Sequence, residues 1–137
     1  MLARLLNAFA ATEVSAHCDL PCGVYDPAQA RIEAQSVKAI IEKYAASDDP
    51  AFKERAIVIK EERSDLVKHH LWVLWTDYFK PPHFEKYPQL HQLFNEATKL
   101  AGGGGGTKAS LDVAVADQLL AKIDEIAEIF WETKKAA

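Results

Sequence analysis

The stretch Leu111–Phe130, LDVAVADQLLAKIDEIAEIF, carries the clearest structural signal in the chain, because its apolar side chains recur at helical spacing. The residues that share this apolar face are Leu111, Val115, Leu119, Ile123, Ile126 and Phe130. A spacing of three to four residues places side chains along one side of an α-helix. The stretch therefore predicts a long amphipathic helix that buries one face against other elements.

A first helix is predicted upstream, from Pro27 to about Ala46. Asp26 is a residue type that caps helix N-termini, and proline is favoured at the first helical position. The predicted apolar stripe consists of Val37, Ile40, Ile41 and Tyr44. This helix would bury the stripe against its neighbours.

A second helix is predicted from Pro50, with Asp49 as its cap, to about Phe79. The prolines at 81 and 82 predict its end, since proline lacks the backbone donor that a helix needs. Its predicted stripe includes Phe52, Ala56, Ile59, Leu66, Val73 and Leu74. This is the longest helix expected in the chain.

A third helix is predicted from about Pro88, and the five glycines at 102–106 then form a flexible connector to the helix described first. The predicted buried residues of this third helix are Leu90, Leu93, Phe94, Ala97 and Leu100. The sequence shows neither a strand pattern nor an internal repeat. Four amphipathic helices with short connections predict an all-α fold, an up-down four-helix bundle.

Size and composition limit the possible functions. The chain has 137 residues, 49% of them hydrophobic, and a formal net charge of -4, which is typical of one globular domain. No apolar run approaches the roughly 20 residues that cross a membrane. A mildly acidic chain without a basic stretch does not favour nucleic acid as a partner. We therefore expect a protein that binds neither a membrane nor nucleic acid.

The first 16 residues, MLARLLNAFAATEVSA, differ in character from the rest of the chain. They match a secretory signal weakly, because Arg4 is the single basic residue, Asn7 interrupts the apolar patch and Glu13 adds a negative charge. We expect residues 1–16 to be a removable leader of another kind, residues 17–137 to be the functional domain, and the protein to be cytoplasmic.

The two cysteines, Cys18 and Cys22, lie close together after this leader. A disulfide between them would close a very small loop and remove little chain entropy, so it explains their presence poorly. Two close thiols in a chain that is not secreted are more typical of metal ligands or a redox pair. Taken alone, the pair would also suit a structural zinc ion.

Cleavage between Ala16 and His17 would create further ligands. The new terminal amine and the imidazole of His17 could bind a metal, and so could the deprotonated backbone amide of Cys18. Together with the thiolates of Cys18 and Cys22 this gives two nitrogens and two sulfurs in a plane, with an axial imidazole. Such a set favours Ni(II) or Cu(II) over tetrahedral Zn(II).

The string HCDLPCGVYDP at residues 17–27 closely resembles the nickel-binding hook of the nickel superoxide dismutase family, with no departure inside it. Further strings that resemble the family are HH at 69–70, DYFKPPHFEKYP at 77–88 and FWETKK at 130–135. The resemblance covers most of the chain after residue 16. It does not inform the leader or the glycine run.

The resemblance implies a specific metal site. The nickel ligands would be His17, Cys18 and Cys22, and the nickel ion would alternate between Ni(II) and Ni(III). Superoxide would be oxidised to oxygen in one half-cycle and reduced to hydrogen peroxide in the other. Tyr25 would lie over the open face of the metal and limit access to small anions. Asp19 would hold the hook through hydrogen bonds.

The resemblance also implies an assembly. The leader would be removed by a dedicated protease, and the mature protein would be a homohexamer of four-helix bundles. Residues 17–25 would form the hook and residues 26–135, approximately, the bundle.

Three charged residues outside the hook are candidates for supporting roles. Glu33 and Arg63 fall on the predicted apolar stripes of their helices, where a charge is costly unless it is paired. They could pair with each other, and the resemblance places them behind the His17 imidazole, where such partners orient a ligand. Lys80 could attract superoxide locally, against the overall negative charge. Tyr25, Asp19 and Lys80 are the candidate catalytic residues.

Two other classes of function compete with the enzyme. A non-enzymatic metal-binding module, such as a zinc-stabilised bundle or a nickel-handling protein, should tolerate extra residues before His17. A helical interaction protein should keep its function when Cys18 and Cys22 are replaced by serine. Neither class would need the cleavage after Ala16.

Overall fold

A computed structural model gives the structure of residues 22–136. Within this range the chain forms α-helices and no strand, which confirms the predicted all-α class. The helices are α1 (Ala28–Ala46), α2 (Pro50–Val73), α3 (Pro81–Lys86), α4 (Leu90–Leu100) and α5 (Val113–Lys135). None of these helices has the length and apolar character needed to cross a membrane.

Aspartates start three of the long helices. In each case the side-chain Oδ1 accepts a hydrogen bond from the backbone N–H two residues later, at 2.8 Å for Asp26, 3.0 Å for Asp49 and 2.9 Å for Asp112. These bonds satisfy backbone donors that a helix start leaves without an intrahelical acceptor. The cap predicted at Asp49 is therefore confirmed, whereas Asp26 binds the first N–H of α1 from one residue before the N-cap, which is Pro27.

The four long helices close into a bundle. Helix α1 packs against α2 and α5, and α4 packs against the same two helices. The main core combines residues of all four helices with Phe79; its largest fully buried side chains include Leu71, Leu90, Phe94, Leu119, Ile123, Ile126 and Phe130. A smaller cluster of Val37, Ile41 and Ala116 joins α1 to α5. The predicted four-helix arrangement is consistent with this packing.

The buried face of α2 differs from the predicted stripe. Phe52 was predicted to be buried but is 38% exposed. The same holds for Leu111, just before α5, which is 39% exposed. Lys60 and Ser64 occupy the core-facing side instead, with 1% and 0% exposure. The reason is that the connector after α4 supplies hydrogen-bond partners: a backbone carbonyl accepts from Lys60, and the Thr107 hydroxyl bonds to that of Ser64, so neither polar group is buried unpaired.

The end of α2 is wider than an ordinary helix. Residues Leu74–Tyr78 form a π-helical turn, in which the N–H of Phe79 donates to the carbonyl of Leu74 five residues earlier, at 3.0 Å. The predicted end near Phe79 is confirmed, but the wider turn was not predicted. Such turns often occur at functional sites.

The prolines at 81 and 82 start α3, whereas the sequence predicted only that they end a helix. Proline is tolerated in the first helical turn, because N–H groups there have no intrahelical acceptor. The following helix, α4, begins at Leu90, two residues after the predicted start.

The glycine connector folds back onto the end of α4. The N–H of Thr107 donates to the carbonyl of Leu100 at 2.7 Å, and that of Lys108 donates to Gly102 at 3.2 Å. Gly106 and Thr107 are buried. The run predicted to be a flexible connector is therefore tied to the bundle through its second half.

Candidate functional site

The structure describes one of the three predicted metal ligands, Cys22. The other two, His17 and Cys18, lie outside the described residues, as does Asp19. Cys22 is exposed, and its Sγ accepts a hydrogen bond from the N–H of Val24 at 3.4 Å. Cysteine binds a metal through its thiolate, and an exposed sulfur is accessible to an ion. Cys22 therefore fits a thiolate-bound ion.

The backbone after Cys22 turns through Gly23, which has a φ of +72°. Residues with a side chain rarely adopt this conformation. The turn directs the chain from the hook toward the bundle. Among residues 22–136, no three His, Cys, Asp or Glu side chains are grouped so that they could hold a metal ion.

A cavity of about 360 Å³ lies beside this segment. It is lined by Gly23, Tyr25, Asp77, Tyr78, Lys80, His83, Thr133 and Lys134. Two predicted site residues, Tyr25 and Lys80, thus meet at one cavity although 55 positions separate them in the sequence. Gly23, the residue that follows Cys22 in the chain, lines the cavity, so Cys22 lies next to it.

Three parts of the fold form the walls of the cavity. The end of α5 provides Thr133 and Lys134, and the segment before α1 provides Gly23 and Tyr25. The π-helical turn and the start of α3 provide the other four residues, Asp77, Tyr78, Lys80 and His83. The rings of Tyr25 and Tyr78 lie 5.6 Å apart at a tilt of 58°. The two tyrosines therefore join the N-terminal segment to the bundle.

Tyr78 is held from the other side by α5. Its hydroxyl lies 2.6 Å from Thr133 Oγ1, which itself donates to the carbonyl of Phe130 at 2.7 Å. Since Thr133 uses its proton in that bond, Tyr78 is the donor in the first. The Tyr78 ring is thereby fixed in the wall of the cavity.

The charges around the cavity are mixed, with cations in excess. Lys80 and Lys134 are exposed, and Lys134 Nζ lies 5.1 Å from the centroid of the Tyr78 ring. Asp77 is the one carboxylate in the lining; its Oδ2 is buried without a hydrogen-bond partner, while Oδ1 accepts from Thr76. Two lysines and one aspartate give a local positive balance on a chain whose net charge is -4.

Glu33 and Arg63 form an ion pair between α1 and α2. Arg63 Nη1 lies 3.2 Å from Glu33 Oε2 and 3.4 Å from Oε1, and the Glu33 side chain is 17% exposed. The pairing expected from their positions on the two helices is present. Neither residue lines the cavity.

Sequence reasoning missed five residues of the lining: Asp77, Tyr78, His83, Thr133 and Lys134. A signal was present, because all five lie in the strings at 77–88 and 130–135 that carry the family resemblance. What the strings do not indicate is that they meet in space, which requires the end of α5 to pack beside the π-helical turn.

Comparison with known proteins places this site in a family. The sequence model described as nickel-containing superoxide dismutase matches residues 12–134. The chain is 64% identical over 136 residues to the superoxide dismutase (Ni) of Streptomyces seoulensis, covering 99% of this chain and 100% of that protein. It is also 64% identical over 123 residues to the superoxide dismutase (Ni) of Streptomyces coelicolor, covering 90% and 92%.

A solved native structure of a nickel superoxide dismutase is similar in fold, with a TM-score of 0.82 and 63% sequence identity. The alignment covers 87% of this chain and 99% of the solved one. The family match includes both the hook and the helices that line the cavity. The chain therefore belongs to the nickel-containing superoxide dismutase family.

Proposed function

We propose that this chain disproportionates superoxide at a nickel ion bound by His17, Cys18 and Cys22, once the leader at 1–16 has been removed. Membership of the family makes the chain an oxidoreductase with nickel as its cofactor. The observation that carries the proposal for the site is the cavity beside Cys22, because it brings Tyr25 and Lys80 together.

The reaction converts two superoxide anions and two protons into one dioxygen and one hydrogen peroxide. Nickel, when bound, supplies the one-electron couple between Ni(II) and Ni(III) that both half-reactions use. The chain supplies soft thiolate ligands, which suit this metal, and a cavity beside Cys22 for the approach of a small anion. The residues around the cavity act on that approach.

Tyr25 limits access to the metal. Its ring is half-buried, contacts the Tyr78 ring at 5.6 Å and stands three residues after Cys22. The two aromatic rings form part of the wall past which a small anion approaches the metal. For Asp19, in the same hook, we propose a supporting role in holding the segment.

Lys80 attracts superoxide into the cavity. The overall charge of the chain repels anions, so steering must come from a local positive field. Lys80 lines the cavity and is exposed, so it provides this field together with Lys134. The single carboxylate of Asp77 reduces the field but does not cancel it.

The Glu33–Arg63 ion pair orients the His17 imidazole. A partner of this kind fixes the ring orientation of a metal ligand and tunes its basicity. Glu33 is the less exposed member, and Arg63 holds it in place at 3.2 Å. The pair also ties α1 to α2 near the point where the N-terminal segment joins the bundle.

Removal of residues 1–16 by a protease creates the metal site, because only a free N-terminus at His17 provides an amine ligand. Lengths of relatives support this step. The Streptomyces seoulensis protein matches almost the whole of this chain, whereas the solved native structure matches 87% of it with 99% of its own length. The solved chain is thus shorter by about the length of the proposed leader.

The mature protein is a homohexamer in the cytoplasm. Exposed apolar side chains on the helices support subunit contacts, among them Ile32 at 59%, Val58 at 57% and Trp131 at 46%. The weak match of residues 1–16 to an export signal supports the location. Light scattering of the mature protein tests the assembly, and cell fractionation tests the location.

The deciding experiment compares three nickel-treated proteins: the 137-residue chain, a chain that begins at His17, and a matched chain that begins at Ala16. We expect fast superoxide consumption, followed by stopped-flow absorbance, only from the chain that begins at His17. The Ala16 chain differs by one residue and controls for all other effects of shortening.

Two other results would change the conclusion. If the chain that begins at Ala16 were equally active, the amine of His17 would not be a required ligand. If no form consumed superoxide while nickel was bound and the helices were folded, the non-enzymatic metal-binding module would replace the enzyme.

A further inference from the structure

His83 makes a hydrogen bond that fixes the start of α3. Its Nδ1 accepts from the backbone N–H of Lys80 at 3.1 Å. Lys80 is the N-cap of α3, and His83 is its third helical residue. The same exchange is typical of capping boxes, in which a side chain at the third helical position reaches back to the cap. An accepting Nδ1 carries no proton, so the neutral ring holds its proton on Nε2.

The His83 ring also packs against the aromatic wall of the cavity. It stacks on Tyr78 with ring centroids 5.7 Å apart and planes 14° apart, and it meets Phe79 edge-on at 5.7 Å. Phe79 is 3% exposed and belongs to the main core. His83 is therefore anchored on the core side and presents a defined face to the cavity.

His83 thus contacts two other residues of the lining: its ring stacks on Tyr78, and its Nδ1 accepts from the N–H of Lys80. Tyr78 is held between the His83 ring and the Thr133 hydroxyl. The backbone of Lys80 is held by its N–H bond to His83, at the point from which the Lys80 side chain extends. A lysine side chain has several rotatable bonds, so the position of its charge depends on where its backbone is held.

We propose that His83 is a positioning residue of the substrate cavity, which keeps the Lys80 charge and the Tyr78 ring in place for the approach of superoxide. This role rests on the proposed function. His83 acts through Lys80 and Tyr78 and not on the metal. Its loss should therefore weaken the capture of superoxide more than the chemical step.

The kinetic test uses the nickel-loaded chain that begins at His17. His83→Ala should lower kcat/KM at low salt roughly threefold to tenfold, mostly through KM, because the local field is displaced. His83→Gln should recover most of this loss, since glutamine at this helix position can reach back to the Lys80 N–H. His69→Gln, at an exposed histidine outside the cavity, is the matched control and should equal the unsubstituted chain.

A double substitution shows whether His83 acts through Lys80. His83→Ala combined with Lys80→Met should be little worse than Lys80→Met alone, because residues in one unit are not additive. Independent, multiplying losses would overturn the proposal. So would a His83→Gln variant as impaired as His83→Ala.

A measurement without nickel tests the geometry directly. In the folded, metal-free chain with ¹⁵N-labelled histidine, NMR at neutral pH should show His83 protonated at Nε2 and unprotonated at Nδ1. The opposite tautomer would overturn the proposal even if the alanine variant failed to fold. An inactive unsubstituted chain would overturn the proposed function and this role with it, whereas an active chain with an unaffected His83→Ala variant would overturn this role alone.

Discussion

At the scale of single residues, Lys60 is the most unusual side chain of the bundle. It is 1% exposed, and its Nζ donates to the carbonyls of Thr107, Lys108 and Ser110 at 2.5, 2.9 and 3.0 Å. An ammonium group has three donors, so all three are used. Burial lowers the pKa of Lys60 below the usual lysine value of 10.5, and the charge of Glu61 partly opposes this.

Lys60→Met should destabilise the protein by about 3 kcal/mol, because the substitution leaves three carbonyls of the connector without this donor. Methionine has a similar length and isolates the loss of the ammonium group. The free energy of unfolding from urea titration measures the effect. Lys43→Met, at an exposed position in the last turn of α1, is the control and should change stability by less than about 0.5 kcal/mol. Equal stability of the two variants would show that the carbonyls find other donors.

At the scale of elements, the connector between α4 and α5 needs glycine at some positions of its run and not at others. Gly105 has a φ of +84°, and a Cβ at Gly106 would overlap the backbone oxygens of Lys99 and Leu100. A Cβ at Gly103 or Gly104 would meet nothing within 4 Å. The strict requirement therefore lies in the second half of the run.

Gly106→Ala should destabilise the protein by about 2 kcal/mol or more, since the clash involves backbone atoms that cannot move aside. Gly104→Ala is the matched control in the same run. It should leave stability unchanged or raise it by up to about 1 kcal/mol, because alanine reduces the freedom of the unfolded chain. Thermal unfolding of both variants by circular dichroism is the measurement. A similar loss in both would indicate a general need for flexibility in the run.

The helices could be predicted from the sequence because their signals are local. Asp26 and Asp49 bind helix starts through bonds to residues two positions away, and the apolar spacing of α5 is visible without any partner. The core face of α2 could not be predicted, since Lys60 and Ser64 look like solvent-facing residues until the connector supplies their partners. The π-helical turn has no comparable signal in the sequence.

The candidate site was predictable in part for the same reason. The proposed hook ligands and Tyr25 lie in one short string, and the Glu33–Arg63 pair follows from two charges on apolar stripes. The cavity depends instead on contacts between distant segments, such as the bond from Tyr78 to Thr133. Spacing along the chain carries no information about that contact.

At the scale of the whole molecule, the proposed metal ligands precede the fully buried core in the chain. Cys22 is exposed and precedes α1, whereas the buried residues of the core clusters begin at Ala30. In the described part of the hook, residues 22–25, no apolar residue is fully buried, although Tyr25 is half-buried and packs against the main core. We therefore expect that substitutions which abolish superoxide consumption differ from those that lower the folding stability.

Cys22→Ser should abolish nickel-dependent superoxide consumption and leave the Tm of the metal-free protein nearly unchanged, because a serine hydroxyl is a poor ligand for a soft site and the replaced side chain is exposed. Ile41→Ala provides the opposite case. Ile41 is 1% exposed in the smaller cluster, away from the cavity, and its loss should cost about 2–5 kcal/mol. If this variant stays folded at 25 °C, it should keep its activity. Nickel content, superoxide consumption and thermal unfolding measured on both variants test the separation. A lower Tm for metal-free Cys22→Ser would mean that the hook is part of the folded core, and the stability of the bundle would then depend on the segment that binds the metal.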